Sequence, residues 1–427
     1  MRLLKILVVN KFLYRFGGTE RYLFDQCKFL ERRGHEVIPF AMAHPRNWES
    51  QYSKYFVSNV EYDKALASAN PLAKFRIALR LLYSLEAKAK ISALIERTCP
   101  DVAHIHNIYH QISPSILPVL HRKGIPVVQT VHDFKLVCPG YSFFAQSKVC
   151  EICKSGNFLR AIQKKCVKNS RAATALAVFE TYFHRWLRIY DRNIQLFITP
   201  SAFSRNKLIE YGVEVNRVVH IPPPVDLAEY APRLVAGDYA LYFGRLVRFK
   251  GLMTLLKAMK GLRGLSLVIA GEGEMKDEIE RTIAHDGLDN VRLVGYVGGD
   301  GLKETIQRAK FVVVPSECYE NAPFAIFESF ALGKAVVGSR IGGIPELIDE
   351  GTDGLLFTPG DVDDLHGRLA YLLDHPKACA SMGRNGRNKL QMRFSPEKHY
   401  DRLENIYSNL RVVAEGRKQI LCSHSEG

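Results

Sequence analysis

The sequence predicts an α/β protein made of two parallel-sheet domains that face each other across a cleft. Short apolar runs alternate with segments of helical spacing along most of the chain. Pro222-Pro223-Pro224 and a polar stretch to Gly237 split that alternation into two sets. The 427 residues are 47% hydrophobic, enough for two cores of ordinary size. Strands alternating with helices imply parallel sheets with right-handed crossovers, and such sheets bind ligands beyond the C-terminal ends of their strands. The expected division is 1–224, carrying a cysteine-rich insert at 138–166, then 237–395, then 396–427 as a final helix and polar tail.

In the first set Ile6-Leu7-Val8-Val9 is a strand and Gly17-Gly18 a turn. Thr19 is placed to cap a helix that runs to Arg33 and ends at Gly34. Val37 to Met42 is the next strand. Phe75 to Arg97 reads as one long helical stretch, with Leu79, Leu82, Leu85, Ile91 and Leu94 at helical intervals. Asp101 to His106, Ile125 to Val131, Phe197 to Pro200 and Val218 to Ile221 complete this set as strands. The second set has strands at Ala240 to Phe243, Leu265 to Ala270, Val291 to Val294, Phe311 to Val314 and Ala335 to Gly338. Helices at Leu252 to Lys260 and Met275 to His285 lie between them. From Arg417 onward the tail reads as loosely ordered.

The net charge of +15 calls for an anionic partner: nucleic acid, anionic lipid or a phosphorylated substrate. The first apolar run is short and no small-residue cleavage site follows it, so it reads as a buried strand and not a signal peptide. No apolar stretch reaches the roughly 20 residues of a spanning helix. These features predict a cytoplasmic protein, with attachment to the inner face of a membrane left open.

Chemistry is concentrated near the second domain's end. Glu320 and Glu328 bracket Asn321-Ala322-Pro323, and Glu328 sits on an apolar helix ending at Gly333. A carboxylate buried there without a partner costs several kcal/mol or shifts its pKa, so Glu328 needs a specific hydrogen-bond partner. Eight positions along a helix are about 12 Å of rise and roughly 80° of rotation, so the two carboxylates do not share one face. That spacing suits gripping two ends of an elongated ligand; an exposed loop glutamate and an ion-paired helix glutamate would fit it too. Arg245 and Lys250 flank a strand-to-helix turn, where two cations could hold a diphosphate and stabilise charge growing on it in group transfer. Gly17-Gly18 and Gly342-Gly343 follow strands and would let a ligand approach the backbone, or serve as plain turns. His132 and His106 end two strands on the cleft side of the first domain, placed for a sugar hydroxyl or a proton relay.

Taken together these pieces resemble the GT-B glycosyltransferases, specifically glycosyltransferase family 4. The matching pieces, in the family's order over roughly residues 1–410, begin with Gly17-Gly18-Thr19-Glu20, His106, His132-Asp133 and Pro200-Ser201. They continue with Gly244-Arg245, Lys250-Gly251 and Gly271-Glu272-Gly273. Pro315-Ser316 then leads to Glu320 and Glu328, and Gly342-Gly343-Ile344-Pro345-Glu346 follows. The resemblance implies two Rossmann-like domains and a nucleoside diphosphate sugar held mainly by the second. It implies transfer to a saccharide or lipid-linked acceptor with retained configuration, needing no cofactor at the reaction centre. Arg245 and Lys250 would bind the diphosphate, Glu320 the donor sugar and Glu328 the ribose. His132 would lie near the sugar, Gly17 and Gly18 near the phosphate or acceptor, with Asn321, Gly342 and Gly343 completing the donor site. One departure is Asn321-Ala322-Pro323, where the family usually has a glycine-containing turn.

Cys138, Cys150, Cys153 and Cys166 form C-x11-C-x2-C-x12-C, a spacing that suits a closed, structural Zn²⁺ site, metal-free thiols or a redox pair. Basic residues follow, from Arg160 to Arg192, interleaved with Phe158, Phe179, Tyr182, Phe183 and Trp186. That mixture fits an anionic membrane surface or an ordinary solvated helix. Two other functions compete with the transferase: a non-catalytic nucleotide-sugar or polysaccharide binder on the same fold, and a zinc-containing nucleic-acid binder. No recognition-helix signature accompanies the cysteines, so no nucleic-acid partner is expected.

Overall fold

Two six-stranded sheets, parallel throughout, carry the chain. The structure is a computed structural model describing residues 3–15, 17–60, 70–234 and 237–423. In the first sheet β1 (Lys5–Val9), β2 (Glu36–Phe40), β3 (Val102–Ile105), β4 (Val127–Thr130), β7 (Leu196–Thr199) and β8 (Val218–His220) lie in the order β2-β1-β3-β4-β7-β8. In the second, β9 (Tyr239–Phe243), β10 (Ser266–Ala270), β11 (Val291–Gly295), β12 (Ala309–Val314), β13 (Ala335–Ser339) and β14 (Gly354–Phe357) lie in the order β11-β10-β9-β12-β13-β14. A small antiparallel hairpin, β5 (Phe144–Ala145) with β6 (Lys148–Val149), belongs to the cysteine-rich insert. Helices cover both faces of a parallel sheet, so its inner strands become continuous apolar runs. β3, β4 and β13 are accordingly buried at every residue.

The strand order positions the site. In each sheet the chain works outward on one side, returns, and builds the other side. The reversals fall between β1 and β3 and between β9 and β12. At such a reversal the loops leaving adjacent strands diverge and open a crevice. The segments there are those following Val9 and Ile105 in the first sheet, and those following Phe243 and Val314 in the second.

The final helix, Pro396–Ser423, packs on the first domain, although it follows the second in sequence. Tyr400, Leu403 and Tyr407 join the core that contains β1, β3 and β4. Tyr400 stacks on Phe29 with centroids 3.9 Å apart. The Arg33 guanidinium donates to Asp401 at 2.6 Å and to Glu404 at 3.0 Å. Where the helix begins, both interdomain connections meet: Val225 N–H donates to the Phe394 carbonyl at 2.9 Å, and His399 Nδ1 lies 2.8 Å from the Pro222 carbonyl.

Four details differ from the sequence expectations. Residues 75–97 are not one helix but two, Pro71–Leu82 and Leu85–Thr98. Ser84 breaks them, because its hydroxyl caps the second helix at Ala87 N–H and its own N–H is held by Ser113. Thr19 is not a cap; the first helix starts at Gly18, with Gly17 at the cap position. The edge strand β14 was passed over, although Leu355-Leu356-Phe357 is an apolar run. Helix continues beyond Arg417 to Ser423. Residues 235–236 of the expected linker and 424–427 of the expected tail lie outside the described residues. No helix among the described residues is long and apolar enough to cross a membrane.

Replacing Tyr407 by alanine removes a fully buried ring and leaves Gln26 and His104 without its hydroxyl. Urea denaturation should show a loss of about 3–5 kcal/mol. A loss under about 1 kcal/mol would mean that the crossing helix adds little to the first domain's core.

Candidate active site

At the second sheet's reversal two loops interlock. The chain leaves β9 through Gly244 and Arg245 and turns at Arg248–Lys250 into the helix Leu252–Ala258. Gly251 has φ of +72°, and a Cβ there would fall 1.8 Å from the Pro315 carbonyl oxygen, so only glycine fits. Glu317 N–H donates to the Phe249 carbonyl at 2.9 Å across the same contact. Lys250 is thereby laid against the loop leaving β12, where its ammonium pairs with Glu320 Oε1. That oxygen also accepts from the Ser316 hydroxyl at 2.7 Å. Burial alone would raise the Glu320 pKa, but Lys250, Ser316 and Arg245 outweigh it and hold the carboxyl below its usual range. Arg245 itself is exposed, its guanidinium 5.7 Å from the centre of the Phe249 ring.

Gly342 and Gly343 make the close approach expected of them, but to the chain's own backbone. Gly343 N–H donates to the Glu320 carbonyl at 2.7 Å. A Cβ on Gly343 would lie 1.9 Å from the Asn321 carbonyl oxygen. Asn321 reaches the other domain, its Nδ2 donating to the His132 carbonyl at 2.8 Å. Glu346 does the same, its carboxylate accepting from Ala202 and Phe203 N–H at the start of the helix Ala202–Glu210.

Glu328 lies on the helix Phe324–Ala331, and its partner comes from the first domain. The Arg21 guanidinium pairs with Glu328 Oε1 and also donates to the Tyr230 hydroxyl. Burial raises the Glu328 pKa, against the opposing pull of Arg21. The Gly17-Gly18 turn abuts the same helix: a Cβ on Gly18 would stand 2.9 Å from the Phe324 ring. Arg21 escaped the sequence reading, although it lies one residue beyond Gly17-Gly18-Thr19-Glu20. Its sequence gives no sign that it spans the cleft.

His132 follows β4 and belongs to a histidine array. His104, His106 and His132 are stacked in sequence, with centroids 4.7 and 5.2 Å apart. His104 Nε2 lies 2.7 Å from the Thr130 hydroxyl and its Nδ1 2.5 Å from the Tyr407 hydroxyl. Burial pushes His104 and His132 down to about 3 and His399 down to about 4, so all three are neutral near pH 7. Neutrality fixes tautomers. The Pro222 carbonyl can only accept, so His399 carries its proton on Nδ1 and accepts the Tyr22 hydroxyl on Nε2, 3.0 Å away. His106 Nδ1 lies 2.9 Å from His132 Nε2, while His106 Nε2 is buried and has no hydrogen-bond partner among the described residues. A stranded N–H is rarer than a stranded acceptor, so the proton belongs on His106 Nδ1. His132 Nε2 then accepts it, which leaves the proton of the neutral His132 ring on Nδ1.

The four cysteines converge. Cys138, Cys150, Cys153 and Cys166 line one cavity with Phe143, Phe144 and Ala161, and none is in a disulfide. The zinc expectation is not upheld: among the described residues no group of three or more His, Cys, Asp or Glu side chains is arranged to hold a metal ion. Burial, reinforced by the neighbouring thiols, pushes Cys153 up to about 12 and Cys166 up to about 11.

Of the sequence-predicted residues, Lys250, Glu320, Asn321, Gly342 and Gly343 form one interlocked unit, and Arg245 stands at its solvent edge. His132 joins through Asn321. Gly18 lies against Phe324 at the start of the helix Phe324–Ala331, and Glu328, further along it, pairs with Arg21. The cysteines form a separate cluster.

Residues 16–229 match the family described as Glycosyltransferase Family 4, and residues 235–389 match Glycosyl transferases group 1. An uncharacterised glycosyltransferase of Methanocaldococcus jannaschii is 26% identical over 354 residues, covering 82% of this chain and 83% of its own length. A glycogen synthase of Mycobacterium tuberculosis is 31% identical over 214 residues, 48% of this chain and 51% of its own length. Anabaena HepE, solved with UDP and glucose, superposes with a TM-score of 0.68 at 18% identity, covering 95% of this chain and all of its own. Sucrose-phosphate synthase of Thermosynechococcus elongatus superposes at 0.69 with 19% identity, covering 96% of this chain and all of its own.

Nitrogen-15 correlation spectra should find His132 protonated on Nδ1 and bare on Nε2 through the neutral range. His106→Ala should abolish that preference. An Nε2–H tautomer, or titration near the ordinary value of about 6.5, would overturn the assignment.

Proposed function

The chain belongs to glycosyltransferase family 4 and has the GT-B fold, and on that premise we propose that it is a retaining transferase. It moves a sugar from a nucleoside diphosphate donor to an acceptor hydroxyl on a saccharide or lipid-linked carrier, in surface polysaccharide or glycolipid synthesis. The observation that carries this reading is the Lys250–Glu320 unit at the second sheet's reversal, with Arg245 beside it.

As the glycosidic bond breaks, negative charge collects on the departing diphosphate and positive charge on the sugar ring. Arg245 and Lys250 offer two fixed cations to the diphosphate, and stabilising that charge is where a transferase gains most. Glu320, kept ionised, can only accept hydrogen bonds, which suits donor-sugar hydroxyls. His132, kept neutral, adds no positive charge beside an oxocarbenium-like sugar, while its Nδ1–H remains free to donate. Glu328 would take the ribose hydroxyls once Arg21 yields or shares it. Donor binding therefore competes with an ion pair that joins the two domains.

Two outcomes are expected. In a thermal-shift series of UDP-, GDP-, ADP- and dTDP-sugars, one nucleotide class should stabilise the protein by about 2.7 kcal/mol at a hundredfold excess over its dissociation constant. Glu328→Ala should abolish that shift. In transfer assays with that donor, Arg245→Ala and Lys250→Ala should each lower kcat by about 10²–10³-fold. Unchanged turnover in the folded double variant would overturn the assignment of the diphosphate site.

A further inference from the structure

The helix Arg171–Trp186 is anchored on one side and uncovered on the other. Its inner side buries Thr174, Ala177, Val178, Thr181 and His184. Its outer side presents Phe179, Tyr182 and Trp186, which are 56%, 37% and 78% exposed. Their spacing of three and four residues puts them in one stripe along the helix. Phe183 fills the stripe, its ring centroid 6.2 Å from Phe179 and 6.5 Å from Trp186. Leu159, 59% exposed, extends it sideways, because Phe158 N–H donates to the Tyr182 hydroxyl at 2.9 Å.

Charge surrounds this stripe on one sign. Nine lysines and arginines stand between Lys154 and Arg192, against two acids, Glu180 and Asp191. Glu180 is buried and spent on Lys135, 2.7 Å away. Arg160, Lys165, Arg171, Arg185, Arg188 and Arg192 are all exposed and make no ion pair among the described residues. A helix that offers large rings on one stripe, with unpaired cations at its ends and flanks, matches the boundary of an anionic bilayer. There the rings enter the headgroup region and the cations reach phosphates. The rings sit on a convex helix face, not in a groove, and a single-stranded nucleic acid is normally held in a basic groove that tracks its backbone.

We propose that this face docks the protein on an anionic lipid surface. The docking helix is coupled to the cleft, since the partner of its buried Glu180, Lys135, lies three residues past His132. Docking would therefore hold the first-domain side of the cleft at the bilayer. If the transferase reading holds, that is where an acceptor carried on a lipid would enter.

The test uses the full chain and phosphatidylcholine vesicles with and without phosphatidylglycerol, in a flotation assay at low and high salt. Binding is expected to the phosphatidylglycerol vesicles, weakened by salt and accompanied by a blue shift of Trp186 fluorescence. Phe179→Ser with Trp186→Ser should weaken it at least about tenfold. Arg185→Glu with Arg188→Glu should weaken it without touching the rings. Circular dichroism and the donor-induced thermal shift should stay unchanged in both variants, which separates loss of docking from loss of fold or of the donor site. No partition to either vesicle, equal partition to both, or partition indifferent to these substitutions would overturn the proposal. So would tighter binding to an oligonucleotide than to the anionic vesicles. A soluble donor assay that fails while vesicle binding stands would sink the transferase reading and leave this one intact.

Discussion

The site depends on one partly buried ion pair. Lys250 and Glu320 come from loops that leave adjacent strands at the point where the second sheet reverses its order. Without Lys250, burial would act to raise the Glu320 pKa. Their pairing draws the two loops together, and the backbone contacts at Gly251 and Gly343 make the arrangement rigid. Glycine is required at both places because the space a side chain would use is filled by a carbonyl oxygen of the opposite loop. The pair thus acts as a structural clasp between the two loops.

From that clasp the two domains are joined by polar contacts and by aromatic ones, with Tyr319 packing on Phe143 and Phe203 of the first domain. Asn321 reaches the His132 carbonyl, Glu346 caps a helix of the first domain, and Arg21 closes on Glu328. Contacts of this kind can be broken and remade at small net cost, because water replaces each lost partner. Another apolar link is the final helix, which embeds Tyr400, Leu403 and Tyr407 in the first domain's core. Its start lies beside the interdomain linker, through Phe394 with Val225 and His399 with Pro222. The firm attachment of the final helix thus lies beside the two chain crossings between the domains.

The histidine array ties the same helix to the cleft. Tyr407 touches His104, His104 stacks on His106, and His106 hydrogen-bonds His132. Burial keeps the array neutral, and the tautomer of the cleft-side ring, His132, is set by its neighbour His106.

Local sequence determined the strands and the two-sheet division, and it marked Lys250, Glu320 and Glu328 as candidates. Apolar runs and glycine-marked turns act over a few residues, and a parallel sheet buried on both faces writes them plainly. The expectation that Glu328 needs a partner was equally legible, because an apolar helix around a carboxylate demands one. The partner was not: Arg21 is 307 residues away, and nothing in its neighbours marks a side chain that will cross a cleft. Ser84 divided a periodic stretch because its hydroxyl offered the backbone a cap, which periodicity cannot register. The cysteine spacing brought four thiols to one cavity but not into a ligand set, since spacing limits which residues can meet and leaves their directions to the packing around them. Whether a glycine admits a ligand or its own chain, and which nitrogen of His132 carries the proton, were decided only when distant segments came within hydrogen-bond reach. Those interactions fall off over a few ångströms of space, a distance that the order of residues along a chain does not encode.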